Sequence, residues 1–162
     1  MSDTIERWRQ AGERGDAEAA AVCLANDVVL VSPLTEQFAF HGRDAVRELL
    51  TAAFTAIEGI EYRTQAEGDG TYALSYTARV RGLALEEAQL LRLDDEGLIG
   101  QITLFVRPLP AATALMSTLG PELARRRGRR GLAGFLAANT APLHAMVRFG
   151  DRRVVPLAGP KP

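Results

Sequence analysis

The chain has 162 residues, of which 47% are hydrophobic and 24% are charged, as is ordinary for one globular domain. Its single cysteine excludes an internal disulfide and a thiolate zinc cluster within one chain. The net charge of −1 conceals an asymmetry, because residues 120–162 carry +7 and the preceding residues carry −8. Residues 1–14 are charged and show no signal-peptide core, and no apolar run approaches the ~20 residues of a membrane span. We therefore expect a cytoplasmic protein.

The N-terminal part of the chain predicts two helices and a strand. Residues 4–11 place apolar side chains on one helical face, and Gly15-Asp16 ends that helix. The Asp16 carboxylate is expected to cap a second helix, over residues 17–25, by accepting hydrogen bonds from its free backbone N–H groups. Residues 28–31 form an unbroken β-branched and aliphatic run, which favours a strand.

The clearest helical pattern in the chain runs from Arg43 to Ile57, with charges opposite a wide apolar stripe. The stripe consists of Val46, Leu49, Leu50, Ala53, Phe54 and Ile57. The period then changes to that of a strand, which predicts strands over residues 74–80, 87–94 and 99–107. Helices followed by an antiparallel meander indicate an α+β fold with helices on one face of the sheet.

The C-terminal part predicts a helical arm. Residues 110–127 favour a helix, and a weaker amphipathic stretch from Leu132 is expected to break near Pro142. Residues 151–162 have the composition of a flexible tail. We therefore divide the chain into a main domain (1–109), a helical arm that packs on it (110–150) and the tail.

Several short motifs occur in a characteristic order along the main domain. They are Gly15-Asp16, residues 25–33 (ANDVVLVSP), His41-Gly42-Arg43, residues 90–99 (LLRLDDEGLI) and Phe105-Val106-Arg107-Pro108. With this order and spacing the chain, from Thr4 to Pro108, resembles the nuclear transport factor 2-like superfamily. Within it, the chain is most similar to the SnoaL-like polyketide cyclases and ketosteroid isomerases, in an uncharacterised bacterial branch. The resemblance implies a cone-shaped, curved antiparallel sheet that wraps around the N-terminal helices and encloses a pocket. It also implies a homodimer formed through the outer face of the sheet.

The resemblance places the catalytic positions of the isomerases on residues of different types. Their oxyanion-hole tyrosine falls at Trp8, their aspartate base at Ser32 and their second hydrogen-bond donor at Gln89. A serine of ordinary pKa cannot replace a carboxylate base, so ketosteroid isomerisation is not expected. Trp8 and Gln89 keep N–H groups that can donate to a ligand oxygen. The epoxide hydrolases of the superfamily carry an aspartate where this chain has Thr103-Leu104-Phe105, so that activity is not expected either.

Glu87 is the candidate for acid–base chemistry. It shares strand parity with Gln89, whose side chain the resemblance directs into the pocket, and burial there would raise the pKa of a carboxyl group. The alternative is that Glu87 lies at the wet rim of the cone. We name Glu87 and Gln89 as candidate catalytic residues. The candidate ligand-binding residues are Trp8, Ser32, Phe54, Tyr76, Leu91, Ile102, Leu104 and Val106.

Other chemistries find little support in the sequence. His41 and His144 are single and far apart, and there is no Gly-rich phosphate loop, so we expect neither a metal nor a cofactor.

No aromatic residues interleave with the arginines of residues 125–130. We therefore expect this cluster to end a helix, or residues 120–149 to fold back as a lid or as an arm on a partner subunit. Binding to nucleic acid or to a membrane surface is not expected.

The function that these observations favour is the binding of a hydrophobic, oxygenated small molecule. The protein could act on it as a cyclase, an isomerase or a dehydratase, since such chemistry needs only acid–base groups in a dry cavity. The alternative is a non-catalytic, dimeric binding or assembly module whose pocket is filled by its own side chains. An inward-facing Glu87 beside an open cavity would favour the enzyme.

Overall fold

The computed structural model describes residues 2–160. Their elements follow in the order α1 (Asp3–Arg14), α2 (Ala17–Val22), β1 (Leu24–Val31), β2 (Phe40–His41), α3 (Arg43–Ala56), β3 (Ile57–Gly68), β4 (Thr71–Val80), β5 (Leu83–Leu93), β6 (Ile99–Arg107), α4 (Leu109–Arg126) and α5 (Arg130–Arg153), with a short 3-10 helix over Val155–Ala158. The predicted α+β class is confirmed.

The six strands form one curved sheet in the order β2-β1-β6-β5-β4-β3. Strands β3 to β6 are an antiparallel meander, as predicted. The sheet is not antiparallel throughout, because β1 pairs in parallel with β6, with Leu30 opposite Ile102. A parallel pair needs a long connection, which α3 and the meander provide between these two strands.

Tight turns join the strands of the meander. Asp69 and Gly70 connect β3 to β4, and Arg81 and Gly82 connect β4 to β5; all four residues have positive φ. Two consecutive residues of positive φ are typical of the two-residue hairpin turns whose twist matches that of the flanking strands. The meander is therefore closely connected, and its residues alternate regularly between the concave and the outer face.

Helix α3 supplies much of the core on the concave side of the sheet. Val46, Leu49 and Leu50 are buried as predicted, whereas Phe54 is only partly buried. Ile57 is also buried, but it begins β3 instead of ending the helix. Asp16 caps α2 as expected, with its Oδ1 accepting a hydrogen bond from the backbone N–H of Ala19 at 2.9 Å.

Three elements in the N-terminal half differ from the prediction: α2, β1 and β3. Helix α2 ends at Val22, and β1 begins at Leu24, because Leu24 pairs with Ile99 and its carbonyl oxygen accepts a hydrogen bond from Arg43 Nε at 2.9 Å. Strand β3 was not predicted. It lies at the edge of the sheet and is mostly exposed, so its sequence lacks the apolar alternation of a half-buried strand.

The C-terminal arm consists of α4 and α5. Helix α4 packs on α3 and on strands β4 to β6, and α5 packs along α4. Arg127 also ties the arm to the main domain by donating to the Glu48 carboxylate at 2.9 Å, and this hydrogen bond lowers the pKa of Glu48. Within residues 2–160, no helix is long and apolar enough to cross a bilayer.

Two expectations about the arm were wrong. The predicted break near Pro142 is absent, and α5 continues through it to Arg153, beyond the expected boundary at residue 150. A proline removes a single N–H donor, so a long helix supported along its length by packing on α4 can retain one. Lys161 and Pro162, at the end of the expected tail, lie outside the described residues.

Candidate functional site

A cavity lies between the concave face of the sheet and helices α1, α3 and α4. Its walls are mostly aliphatic and aromatic side chains. The cavity has a free volume of about 60 Å³, enough for a few water molecules. The cavity is therefore narrow and largely apolar, and its few polar side chains are the candidates for binding a ligand.

Glu87 contributes the one carboxyl group among the residues that line the cavity. Its residue is 5% exposed, and strand β5 directs its side chain inward at a position opposite Tyr76 on β4. Burial raises the pKa of Glu87 from 4.5 to about 7, although hydrogen bonds from Gln89 and Tyr76 oppose part of this rise. Near neutral pH, both protonation states of Glu87 are consequently populated, as acid–base catalysis requires.

Gln89 holds the Glu87 carboxylate through its side-chain amide. Gln89 Nε2 donates a hydrogen bond to Oε1 of Glu87 at 2.9 Å. Gln89 Oε1 in turn accepts hydrogen bonds from Trp8 Nε1 at 3.0 Å and from the Tyr62 hydroxyl at 3.2 Å. Because both donors point at the same oxygen, the amide cannot flip without losing them. The network therefore fixes which atom of Gln89 faces Glu87.

This network changes the role expected for Trp8. The sequence suggested that the Trp8 indole N–H could donate to a ligand oxygen. That N–H is already bound to Gln89, and the Trp8 residue is only 3% exposed. Trp8 therefore acts on the site by positioning Gln89. Within residues 2–160, the Gln89 amide nitrogen donates to Glu87 alone, which leaves its second N–H hydrogen for a ligand.

Two tyrosines complete the polar part of the cavity. The rings of Tyr62 and Tyr76 meet edge to face, with centroids 5.4 Å apart. Burial, reinforced by the nearby Glu87 charge, raises the pKa of both hydroxyls, so that they remain O–H donors near neutral pH. Gly12 makes room for this arrangement, because a Cβ at that position would lie 3.1 Å from the Tyr62 hydroxyl oxygen.

Helix α4 closes one side of the cavity with Leu115 and Leu119. We expected residues 120–149 to provide such a cover. The covering side chains precede that segment, and α5 packs on α4 instead of contributing to the cavity wall. Helix α4, supported from behind by α5, thus forms one wall of the cavity.

A surface cleft adjoins the cavity between β6 and the loop that follows β1. Ser32, Pro33, Leu34 and Leu104 line both the cleft and the cavity. Val106 belongs to the cleft and does not reach the cavity. The shared residues place the cavity next to solvent on this side.

Most of the residues predicted for the site meet in the cavity. Those that line it are Trp8, Ser32, Phe54, Tyr76, Glu87, Gln89, Ile102 and Leu104. Leu91 does not, because it is fully buried in the core, and Val106 lies in the cleft. Sequence reasoning missed Tyr62, Gly12 and the two leucines of α4. The one aromatic residue of β3, in a strand with few apolar residues, was the only sequence signal for Tyr62.

The two histidines lie outside the cavity. His41 is exposed on β2, whereas His144 is buried between α5 and α4, with its Nδ1 3.0 Å from the Thr113 hydroxyl oxygen. Over residues 2–160, no three His, Cys, Asp or Glu side chains come together in a group that could hold a metal ion. The chemistry that the cavity supports is therefore proton transfer by a single carboxyl group amid hydrogen-bond donors.

The comparisons with known proteins agree with this architecture. The family model of the SnoaL-like domain matches residues 5–102, which include most of α1, all of α3 and strand β5 with Glu87 and Gln89. The chain belongs to the SnoaL-like family. The match ends within β6, so α4 and α5 of this SnoaL-like protein lie beyond the part that the family model describes. A comparison with curated proteins finds no match.

Several solved structures have a fold similar to that of this chain. A steroid delta-isomerase from Pseudomonas aeruginosa is 28% identical, with a TM-score of 0.66, over 77% of this chain and 89% of the isomerase. A bacterial protein with a cystatin-like fold from Silicibacter pomeroyi DSS-3 is 25% identical, with a TM-score of 0.73, over 82% of this chain and 95% of that one. SalBIII, an epoxide hydrolase/cyclase-like enzyme of salinomycin pyran ring formation, shares the fold at 18% identity and a TM-score of 0.56, over 66% of this chain and 95% of SalBIII.

Proposed function

We propose that this SnoaL-like protein binds a hydrophobic, oxygenated small molecule and catalyses cofactor-independent proton transfer on it. The observation that carries the proposal is Glu87, a buried carboxyl group in an apolar cavity with a pKa raised to about 7. An enzyme gains most from an acid–base group whose pKa lies near the working pH. A buried carboxyl group with no such task would only reduce stability.

The proposed reaction is proton transfer at a carbon next to a carbonyl group. The Glu87 carboxylate removes the C–H proton, and the electron pair of that bond forms the carbon–carbon double bond of an enolate. The negative charge moves to the carbonyl oxygen, which the second N–H of Gln89 is available to stabilise. The Glu87 carboxylic acid then returns the proton to a carbon of the same substrate, so no cofactor is consumed.

The relatives support this class of reaction without fixing the substrate. The structural neighbours include an isomerase and an epoxide hydrolase/cyclase-like enzyme, and the first of these is 28% identical to this chain. This chain has Ser32 where the isomerases of the superfamily are expected to carry their base. Glu87 lies on a different strand of the cavity wall from Ser32, so the proposed base would approach a bound molecule from a different position and select a different substrate.

A non-catalytic binding or assembly module is the second candidate. The free space of about 60 Å³ favours it, because drug-sized ligands occupy pockets of about 300–1,000 Å³. In that case the aromatic and aliphatic side chains that line the cavity would serve as the core of the cone. The two candidates differ in whether Glu87 exchanges protons with a bound molecule.

Hydrogen exchange into simple ketones separates the two candidates. The protein is incubated in deuterated buffer with cyclohexanone or with a β,γ-unsaturated cyclohexenone, and deuterium at the α-carbon is followed by NMR. We expect exchange above the buffer rate with the native protein and none above it with Glu87→Gln. Glu86→Gln is the matched control, because Glu86 precedes Glu87 on β5 but is exposed on the outer face.

Three results would decide against the proposal. They are no exchange by the native protein, equal exchange by native protein and Glu87→Gln, and equal loss in Glu86→Gln. Thermal stabilisation of the native protein by the ketone without any exchange would establish the binding module. The far-UV circular dichroism of each variant shows whether its fold is intact.

A further inference from the structure

Helix α5 contains a long segment without ionised side chains on the surface of the protein. Residues 131–147 include no Asp, Glu, Lys or Arg. Arginines stand at both ends of this segment, at positions 129 and 130 before it and at 148, 152 and 153 after it. Surface helices normally carry charges on their solvent face, so this composition needs an explanation.

One face of α5 is covered and the opposite face is not. Ala133 and His144 are buried against α4. Four large apolar side chains on the opposite side are exposed: Phe135 by 64%, Leu143 by 39%, Met146 by 66% and Phe149 by 64%. Their spacing of eight, three and three residues keeps them within one helical stripe. We call these four residues the α5 stripe.

The arginines at the two ends of the stripe are available for an anionic partner. Within residues 2–160, none of the arginines at positions 129, 130, 148, 152 and 153 forms an ion pair with a carboxylate. The arginines at positions 125 to 127, by contrast, are paired with Glu122 or Glu48. The only acidic residue of α5 is Asp151. The partner of the stripe must therefore combine an apolar layer with negative charge.

A second copy of the stripe does not meet this requirement. Because both ends of α5 are basic, pairing two such helices places arginines against arginines in either direction, and like charges in contact are unfavourable. Nucleic acid supplies negative charge but has no apolar layer for a row of side chains such as Phe135 and Met146. An anionic lipid bilayer offers both, with acyl chains beneath phosphate groups.

We propose that α5 binds the surface of an anionic phospholipid membrane. The helix lies parallel to the membrane plane, and the α5 stripe enters the boundary between headgroups and acyl chains. The arginines at the two ends contact lipid phosphates, with their aliphatic stems along the apolar boundary. The sequence alone had led us to expect residues 120–149 to form a lid or an arm on a partner subunit, with no membrane contact, and the exposed α5 stripe is the observation behind the different proposal made here.

Flotation of the full-length protein with lipid vesicles tests this proposal. Vesicles of phosphatidylcholine alone are compared with vesicles of equal parts phosphatidylcholine and phosphatidylglycerol. We expect binding to the anionic vesicles only, and weaker binding at about 1 M salt than at about 0.1 M salt, because salt screens the arginines. Met146→Ser/Phe149→Ser and Arg152→Gln/Arg153→Gln should each reduce the affinity by roughly tenfold or more.

Matched variants elsewhere on the surface serve as controls. Val22→Ser/Phe38→Ser removes two apolar side chains that are 63% and 58% exposed away from α5. Arg14→Gln/Arg92→Gln removes two exposed arginines outside the arm. Both controls should bind anionic vesicles like the native protein, and circular dichroism should show all four variants folded.

Several results would overturn the proposal. They are no binding to anionic vesicles, equal binding to both vesicle types, and an equal loss in the control variants. A protein that ignores vesicles but forms an oligomer, which Met146→Ser/Phe149→Ser dissociates, would show that a second copy covers the stripe. As an independent measurement, Phe149→Trp should show a blue-shifted emission on anionic vesicles, because the native Trp8 is already buried.

Discussion

The Nε2 atom of Gln89 lies 2.9 Å from the Oε1 atom of Glu87, deep in the same cavity wall. This hydrogen bond stabilises the ionised carboxylate and lowers its pKa from the value that burial alone would produce. Gln89→Leu should therefore raise the pKa of Glu87 above its native value of about 7. Titration of carbon-13-labelled glutamate side chains by NMR measures the change. Gln101→Leu, at an exposed position of β6, should leave that pKa unaltered.

The pH dependence of stability should also report on Glu87. Its pKa rises from 4.5 to about 7 on folding, so the folded state binds more protons than the unfolded state between these values. The contribution of Glu87 to the free energy of unfolding is therefore favourable at low pH and is lost as pH rises toward and above 7. By linkage, the loss between about pH 4.5 and pH 8 is on the order of 3 kcal/mol.

Urea unfolding of Glu87→Gln measures this contribution. The amide does not titrate, so the variant should lose less stability than the native protein between about pH 5 and about pH 8. Glu86→Gln should follow the native pH profile because Glu86 is exposed. Parallel profiles for the native protein and Glu87→Gln would show that Glu87 is not perturbed by burial.

Leu50 anchors α3 in the core and also lines the cavity. Leu50→Ala should reduce the free energy of unfolding by about 2–5 kcal/mol, through lost burial and the hole left behind. Chemical denaturation checks this value. Leu157→Ala, at a position that is 84% exposed, should change stability very little. A loss as small as that of Leu157→Ala would contradict the core position of Leu50.

Leu119 of α4 should limit the size of the ligand. Leu119→Ala removes a side chain from the cavity wall, so it should strengthen the binding of an apolar dye or of a bulkier ketone. Fluorescence titration measures the affinity. Met116→Ala is the control, because Met116 lies on the same helix without lining the cavity. Equal affinities in both variants would mean that α4 does not restrict the cavity.

The outer face of the sheet is the proposed dimer interface. Leu90 on β5 and Phe105 on β6 are 40% and 54% exposed there, and a stable dimer would bury more than about 1,000 Å² in total. Leu90→Arg/Phe105→Arg should convert a dimer to a monomer in light scattering at micromolar concentrations. Val22→Arg introduces the same charge at an exposed apolar position on α2 and should leave the mass unchanged. A monomeric native protein would refute this interface.

The sequence by itself determined the elements whose patterns are local and regular. The stripe of α3 requires one face to be buried, and the alternation of β4 to β6 requires a sheet with one apolar face. The same alternation placed Glu87 and Gln89 on one face of β5, so strand parity and the family resemblance together predicted that both side chains face the cavity. Asp16 likewise predicted the start of α2 through its capping chemistry.

Only the tertiary structure decided the features that depend on contacts distant in sequence. Strand β3 forms because β4 pairs with it, which the polar sequence of an edge strand does not reveal, and Tyr62 enters the site with it. The partner of the Trp8 indole N–H is Gln89, 81 residues away in the sequence, which the sequence did not predict. Which face of α5 remains uncovered depends on how α4 packs against it. A hydrogen bond or a packed face needs both partners, and one chain segment supplies only one of them.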